Sequence, residues 1–239
     1  SKDERLRKVL EDVERLLREV LKKHRKVIDD LRELLKRVVE IHRRVLEEIL
    51  KRLEEEGIDE TVLKRLDDAI KESEDSIRRV EELLEDVLRR SEEKAKRAEE
   101  DIRRVIEKLD RLARAGVPIE ELVKELERLI DKLLRILREI NRELKELLDR
   151  VIEILRRNNE RLVRLAEDVL RRLRETGRVS DEVVERIRRT LEEIERRLRK
   201  TDKDLEKDLR ELKKDLDRTD EELKRKVEKL KRELKETSK

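Results

Sequence analysis

All three glycines and the single proline of this chain fall in three short breaks, and that placement limits the fold more than any other feature. The breaks read EEEGIDE, ARAGVPIEE and ETGRVSDE. Gly57, Gly116 and Gly177 suit the left-handed position that follows a helix, because glycine has no Cβ to clash there. Asp59 and Ser180 are placed to cap the next helix, Pro118 sits at or near a first turn, and Asp181 and Glu182 bring negative charge to a helix N-terminus. Nothing between the breaks stops a helix, which predicts four of them over 2–56, 59–115, 118–176 and 181–236. Each would run about 80–85 Å at 1.5 Å per residue, far beyond the usual three turns. Connections this short make consecutive helices antiparallel. The expected fold is all-α: an antiparallel up-down-up-down four-helix bundle, with 1–239 as one domain.

Only 35% of the residues are apolar. That suffices when two to three of every seven positions face a core, and the regular spacing argues against the disorder that so much charge would otherwise suggest. In the fourth helix the seam runs Ile187, Leu191, Ile194, Leu198, Thr201, Leu205, Leu209, Leu212, Leu216, Thr219, Leu223, Val227, Leu230, Leu234. Its steps of four, three, four, three and four return to register every eighteen residues. Eighteen residues are five whole turns, so neither supercoil hand is imposed and nearly straight helices are expected.

Polar residues interrupt the seam at the same interval. His24 and His42, Ser73 and Ser91, Asn141 and Asn159, and Thr201 and Thr219 are four pairs, one per helix, each eighteen residues apart. In antiparallel neighbours, residues at one height are equidistant from the turn. His42 and Ser73 are equidistant from the first turn, as are His24 and Ser91. Gly116 is the midpoint for Ser73 with Asn159 and for Ser91 with Asn141. Ser180, at the edge of the third turn, is the midpoint for Asn159 with Thr201 and for Asn141 with Thr219. The eight residues are thus expected to form two layers, His42–Ser73–Asn159–Thr201 and His24–Ser91–Asn141–Thr219. Asn supplies donors and an acceptor, neutral His one of each, and the hydroxyls rotate to suit. A buried polar group without a partner costs roughly 1–3 kcal/mol, so closed layers would penalise any slip that an all-leucine seam tolerates. Asn158, Ser76 and Thr190 fall off this scheme and read as boundary or surface positions.

These residues carry a resemblance. The paired His, Ser, Asn and Thr, the single-glycine turns, and a Leu/Ile/Val interior inside a Glu/Lys/Arg/Asp surface together resemble computationally designed helical bundles with buried hydrogen-bond networks. The likeness covers all four helices. It implies a synthetic folding scaffold with no native location, soluble in the cytoplasm when expressed and needing no cofactor. Such scaffolds are often built as helical hairpins that associate, which here would be joined at the Gly177 turn. Members with histidine in their networks imply a pH-sensitive variant.

The remaining chemistry is sparse. Charged residues make up 56% of the chain, yet the net charge is only +3 and the signs are interleaved. With no basic stripe and no aromatic residue for base stacking, nucleic acid is not an expected partner. No uncharged run approaches the roughly 20 residues of a membrane span, and SKDERLRK begins no signal peptide. There is no cysteine, and the chain has no nucleophile elbow and no phosphate-binding loop, so no catalytic residue is expected. His24 and His42 would stand about 27 Å apart on one helix face, whereas zinc ligands lie about 2 Å from the metal. No metal site is expected.

Two features point past a plain scaffold. Buried imidazoles resist protonation, so acid should weaken the assembly. The apolar face is also unequal: residues 199–239 hold eight apolar positions in 41, and 119–155 hold eighteen in 37. A thin terminal seam suggests a displaceable fourth helix that would expose a groove for a helical partner. Self-association remains open, including a domain-swapped dimer exchanging hairpins through the third turn.

Overall fold

A computed structural model of the chain describes residues 2–58 and 60–239. Four helices fill it in order: α1 (Lys2–Glu55), α2 (Glu60–Arg114), α3 (Ile119–Thr176) and α4 (Asp181–Ser238). They form an all-α four-helix bundle, and among the described residues there is no strand. Helix ends fall within two residues of the expected ones. The proposed cap Asp59 lies outside the described residues.

The glycine turns close as their chemistry requires. The Ile58 N–H donates to the Leu53 carbonyl and the Gly57 N–H to the Glu54 carbonyl, each at 3.1 Å. Val117 and Gly116 repeat the pattern on Leu112 and Ala113 at 3.1 and 3.2 Å. These paired bonds satisfy carbonyls that a helix end leaves orphaned. The three glycines have φ of 70°, 76° and 59°. A Cβ at Gly116 would meet nothing within 4 Å, so only the backbone conformation opposes a side chain there. Gly116→Ala is accordingly expected to cost about 1 kcal/mol, read as a lower denaturation midpoint with an unchanged slope. At the third turn, the Ser180 hydroxyl accepts the Val183 N–H at 3.4 Å.

The chain divides into two compact units, each drawing on all four helices. Unit 1 comprises Ser1–Ile28, Glu85–Leu147 and Leu212–Lys239; unit 2 comprises Asp29–Leu84 and Leu148–Glu211. Within unit 1 the core joins Leu17 of α1, Ile102 of α2, Leu126 of α3 and Leu234 of α4. Within unit 2 it joins Leu53, Leu66, Leu173 and Leu191. Every member of the α4 seam is buried except Thr201, which is half-buried. No large apolar side chain is exposed among the described residues.

Ion pairs on the surface report the helix order. In unit 1, Arg7–Asp110 joins α1 to α2, Lys108–Glu125 joins α2 to α3, Lys145–Asp217 joins α3 to α4, and Lys226–Glu19 joins α4 to α1. The α1–α2 pairs also fix direction. Arg7 meets Asp110, Arg25 meets Glu92 and Arg43 meets Glu74, at 3.1, 3.8 and 3.2 Å. Each eighteen-residue advance in α1 is matched by an equal retreat in α2, as antiparallel packing demands. Exposed pairs of this kind contribute roughly 0–1 kcal/mol each. They record register more than they create stability.

Candidate functional site

Among the described residues, the buried polar side chains are where chemistry enters this interior. Each imidazole projects from the core stripe of α1 and is nearly sealed from solvent: His24 is 2% and His42 3% exposed. In unit 1, the His24 Nε2–H donates to Asn141 Oδ1 at 3.2 Å. The other end of that amide donates from Nδ2 to the Leu216 carbonyl at 3.0 Å. One asparagine on α3 thereby ties α1 to the backbone of α4. The tautomer follows: His24 Nδ1 is left as a bare acceptor, and it has no hydrogen-bond partner. The buried Ser91 hydroxyl likewise has none.

Unit 2 solves the same problem with one more residue. Asn158 Nδ2 donates to Ser73 Oγ at 2.8 Å and to His42 Nδ1 at 3.3 Å. Asn159 Nδ2 donates to the Leu198 carbonyl at 3.2 Å, the counterpart of the Asn141–Leu216 bond eighteen residues away. His42 Nε2 and Asn159 Oδ1 have no hydrogen-bond partner.

The layers therefore differ from the expected four-membered sets. His24 meets Asn141, and His42 and Ser73 meet through Asn158, while Ser91 stays unpaired. The threonines stay out of both layers. Thr201 donates to the Arg197 carbonyl and Thr219 to the Asp215 carbonyl, each at 2.9 Å and each four residues back along α4. A helical threonine can satisfy its hydroxyl on its own backbone, so a matching height does not oblige it to cross to a neighbour. Asn158 corrects a second expectation: it is buried at 3%, not at the boundary. The broad face of α3 explains this, since it buries adjacent pairs elsewhere, such as Leu122 with Val123 and Leu147 with Leu148. Ser76 and Thr190, half-buried, bond the Glu72 and Arg186 carbonyls of their own helices.

Two carboxylates also belong here, and a repeat in the sequence marks them. Asp202 and Asp220 follow the threonines in a Thr-Asp dipeptide repeated at eighteen residues. Burial pushes the Asp202 carboxyl above its ordinary range, with the Asn159 amide and Arg156 pulling it back. One Asp220 oxygen is buried without a partner. Ionised Asp202 is thus held at a cost at neutral pH. Asp202→Asn is expected to raise the denaturation midpoint at pH 7 and to leave it unchanged at pH 3, where the acid is protonated whether or not the chain is folded.

Burial also pushes both imidazoles from 6.5 down to about 4. For His24, the Asn141 bond and the Asp220 charge oppose that shift; for His42, the Asn159 amide does. Both are neutral at pH 7. Ser91, His24 and Asn141 are the residue types of a hydrolase triad, with an asparagine orienting the base. Yet the Ser91 hydroxyl is not bonded to the imidazole, and an imidazole titrating near 4 is a weak base.

The chain matches no protein-family model, no curated protein and no solved structure. Its site is therefore read from geometry alone. Among the described residues, no three of His, Asp and Glu converge as a metal ion would need. No helix among them is long and apolar enough to cross a membrane. Surface-connected cavities touch the polar layers, among them one of about 240 Å³ at His24 and Ser91 and one of about 310 Å³ at Asn159 and Asp202.

Proposed function

We propose that this chain is a non-catalytic structural scaffold of designed origin, whose buried His–Asn layers select one helix pairing over its competitors. The observation that carries this reading is the repeated tie from α3 to the α4 backbone, Asn141 to Leu216 and Asn159 to Leu198. Each tie sits beside a buried histidine bonded to an α3 amide. A slip of one turn separates these partners and leaves each buried polar group facing hydrocarbon. The loss is about 1–3 kcal/mol per group, or roughly five- to 150-fold in population. Leucine at the same positions would slide with little penalty.

The test is an aliphatic variant with His24, His42, Asn141, Asn158 and Asn159 changed to Leu and Ser73 and Ser91 changed to Ala. Light scattering should find one species for the parent and a mixture of sizes for the variant, including dimers that exchange hairpins through the Gly177 turn. A variant as uniform as the parent, with the same hydrogen-exchange pattern, overturns the reading. A second reading is favoured by the depressed imidazoles: the same layers would weaken the assembly in acid, so that it responds to pH.

A further inference from the structure

The two polar layers are related by eighteen residues, and three of the buried positions at which they differ change the size or polarity of the side chain beside a layer. Asn158 in unit 2 corresponds to Ile140 in unit 1, Ile77 to Ala95, and Val80 to Ala98. The differences act together. In unit 2, one amide nitrogen supplies hydrogens to both His42 Nδ1 and Ser73 Oγ. In unit 1 the corresponding side chain is aliphatic, and the corresponding atoms, His24 Nδ1 and Ser91 Oγ, have no partner in the protein. Both residues are buried, at 2% and 3% exposure, and both line the cavity of about 240 Å³. Ala95, shorter than its counterpart Ile77, helps to open that space. Leu21, Ile28 and Leu88 complete an apolar wall.

The lining specifies what fits. Because Nε2–H is already given to Asn141, His24 offers the lone pair of Nδ1 and requires a donor. Ser91 can give or accept. A single hydroxyl answers both, donating to the imidazole and accepting from the serine. One water takes up about 30 Å³, so the cavity has room for a body of several heavy atoms behind that head. A charged ligand would lose its hydration against these walls. The rim carries Arg25, Lys96, Glu92 and Glu99, two charges of each sign with Arg25 and Glu92 paired at 3.8 Å, and so favours neither sign.

We propose that the α1–α2 cavity of unit 1 is a binding site for a small uncharged hydroxyl compound with a compact apolar body. Its hydroxyl bridges His24 Nδ1 and Ser91 Oγ, and its body rests against Leu21, Leu88 and Ala95. Phenol is the probe of choice.

The test uses the full chain with 15N-labelled histidine at pH 7.5, titrated with phenol. Only two imidazoles contribute, and a His42→Asn variant assigns them. The Nδ1 resonance of His24 should shift and saturate with a dissociation constant on the order of 1 mM, while His42 stays in place. Toluene, which has the ring without the hydroxyl, should bind at least about tenfold more weakly. Ser91→Ala should weaken phenol binding by about the same factor. Ala95→Ile, which fills the space, and Ile140→Asn, which supplies an internal amide, should each abolish the shift. The comparison of phenol with toluene on the unaltered chain holds whether or not a variant folds. No saturable shift by about 50 mM, equal shifts at both histidines, or toluene binding as well as phenol overturns the site.

Discussion

Chemical denaturation at pH 4.5 should show a fold weaker by roughly 5 kcal/mol than at pH 7.5 through its two histidines alone. The folded imidazoles titrate near 4 and the unfolded ones near 6.5. Between those values the unfolded chain binds protons that the folded chain refuses. Stability is therefore complete above about pH 6.5, falls as pH drops, and levels off below about 4, with each histidine contributing about 2–3 kcal/mol of the loss between pH 7.5 and 4.5. Facing His24 are Asn141 from α3, Ser91 from α2 and Asp220 from α4; facing His42 are Asn158 and Asn159 from α3 and Ser73 from α2. Only Asp220 among these carries charge, and its attraction for a protonated His24 is weaker than the burial that opposes it. Asp202, raised by burial, works in the opposite direction and gains as pH falls. A His24→Asn/His42→Asn chain keeps Asp202 and the surface carboxylates, so the difference between the two pH slopes isolates the imidazoles. Equal slopes would sink the prediction.

The second large effect lies in the coupling of His24 to Asn141. Asn141→Leu removes the acceptor of the His24 Nε2–H and leaves an imidazole with neither nitrogen bonded. A loss of about 2–3 kcal/mol is expected. Adding His24→Leu removes the orphaned ring, and most of that loss should return, because a hydrocarbon pair suits a dry core as well as a bonded polar pair does. The coupling between the two changes should come out at about 1–3 kcal/mol in a double-mutant cycle. Additive effects would mean that the 3.2 Å contact does not hold in solution. The doubly changed chain should be nearly as stable as the parent and less particular about its partners, which separates stability from selection.

How far the sequence could be read depended on the kind of residue. Gly57, Gly116 and Gly177 marked the turns because only a residue without a Cβ settles readily at positive φ. The α4 seam was legible because leucine in so polar a chain has one place to go. His24 and Asn141 met as their heights required. Thr201 and Thr219 share those heights yet bond backward, since a hydroxyl within reach of its own helix has a local choice that an imidazole lacks. Asn158 was hidden by its neighbour: on a helix as broadly apolar as α3, two consecutive residues can face inward, and a single-residue period misses the second. Asp202 and Asp220 were hidden by composition, because an acid in a chain that is 56% charged reads as surface.

The recurrence of Arg7–Asp110, Arg25–Glu92 and Arg43–Glu74 has a consequence for assembly. A charge pattern that repeats every five turns is blind to a displacement of five turns, since each cation finds an equivalent anion one step along. Two copies meeting lengthwise would read the same surface message at the wrong alignment as at the right one. Asn158 stands one eighteen-residue step from Ile140 on α3, and Ala95 one step from Ile77 on α2, and these differences break that translational ambiguity from within.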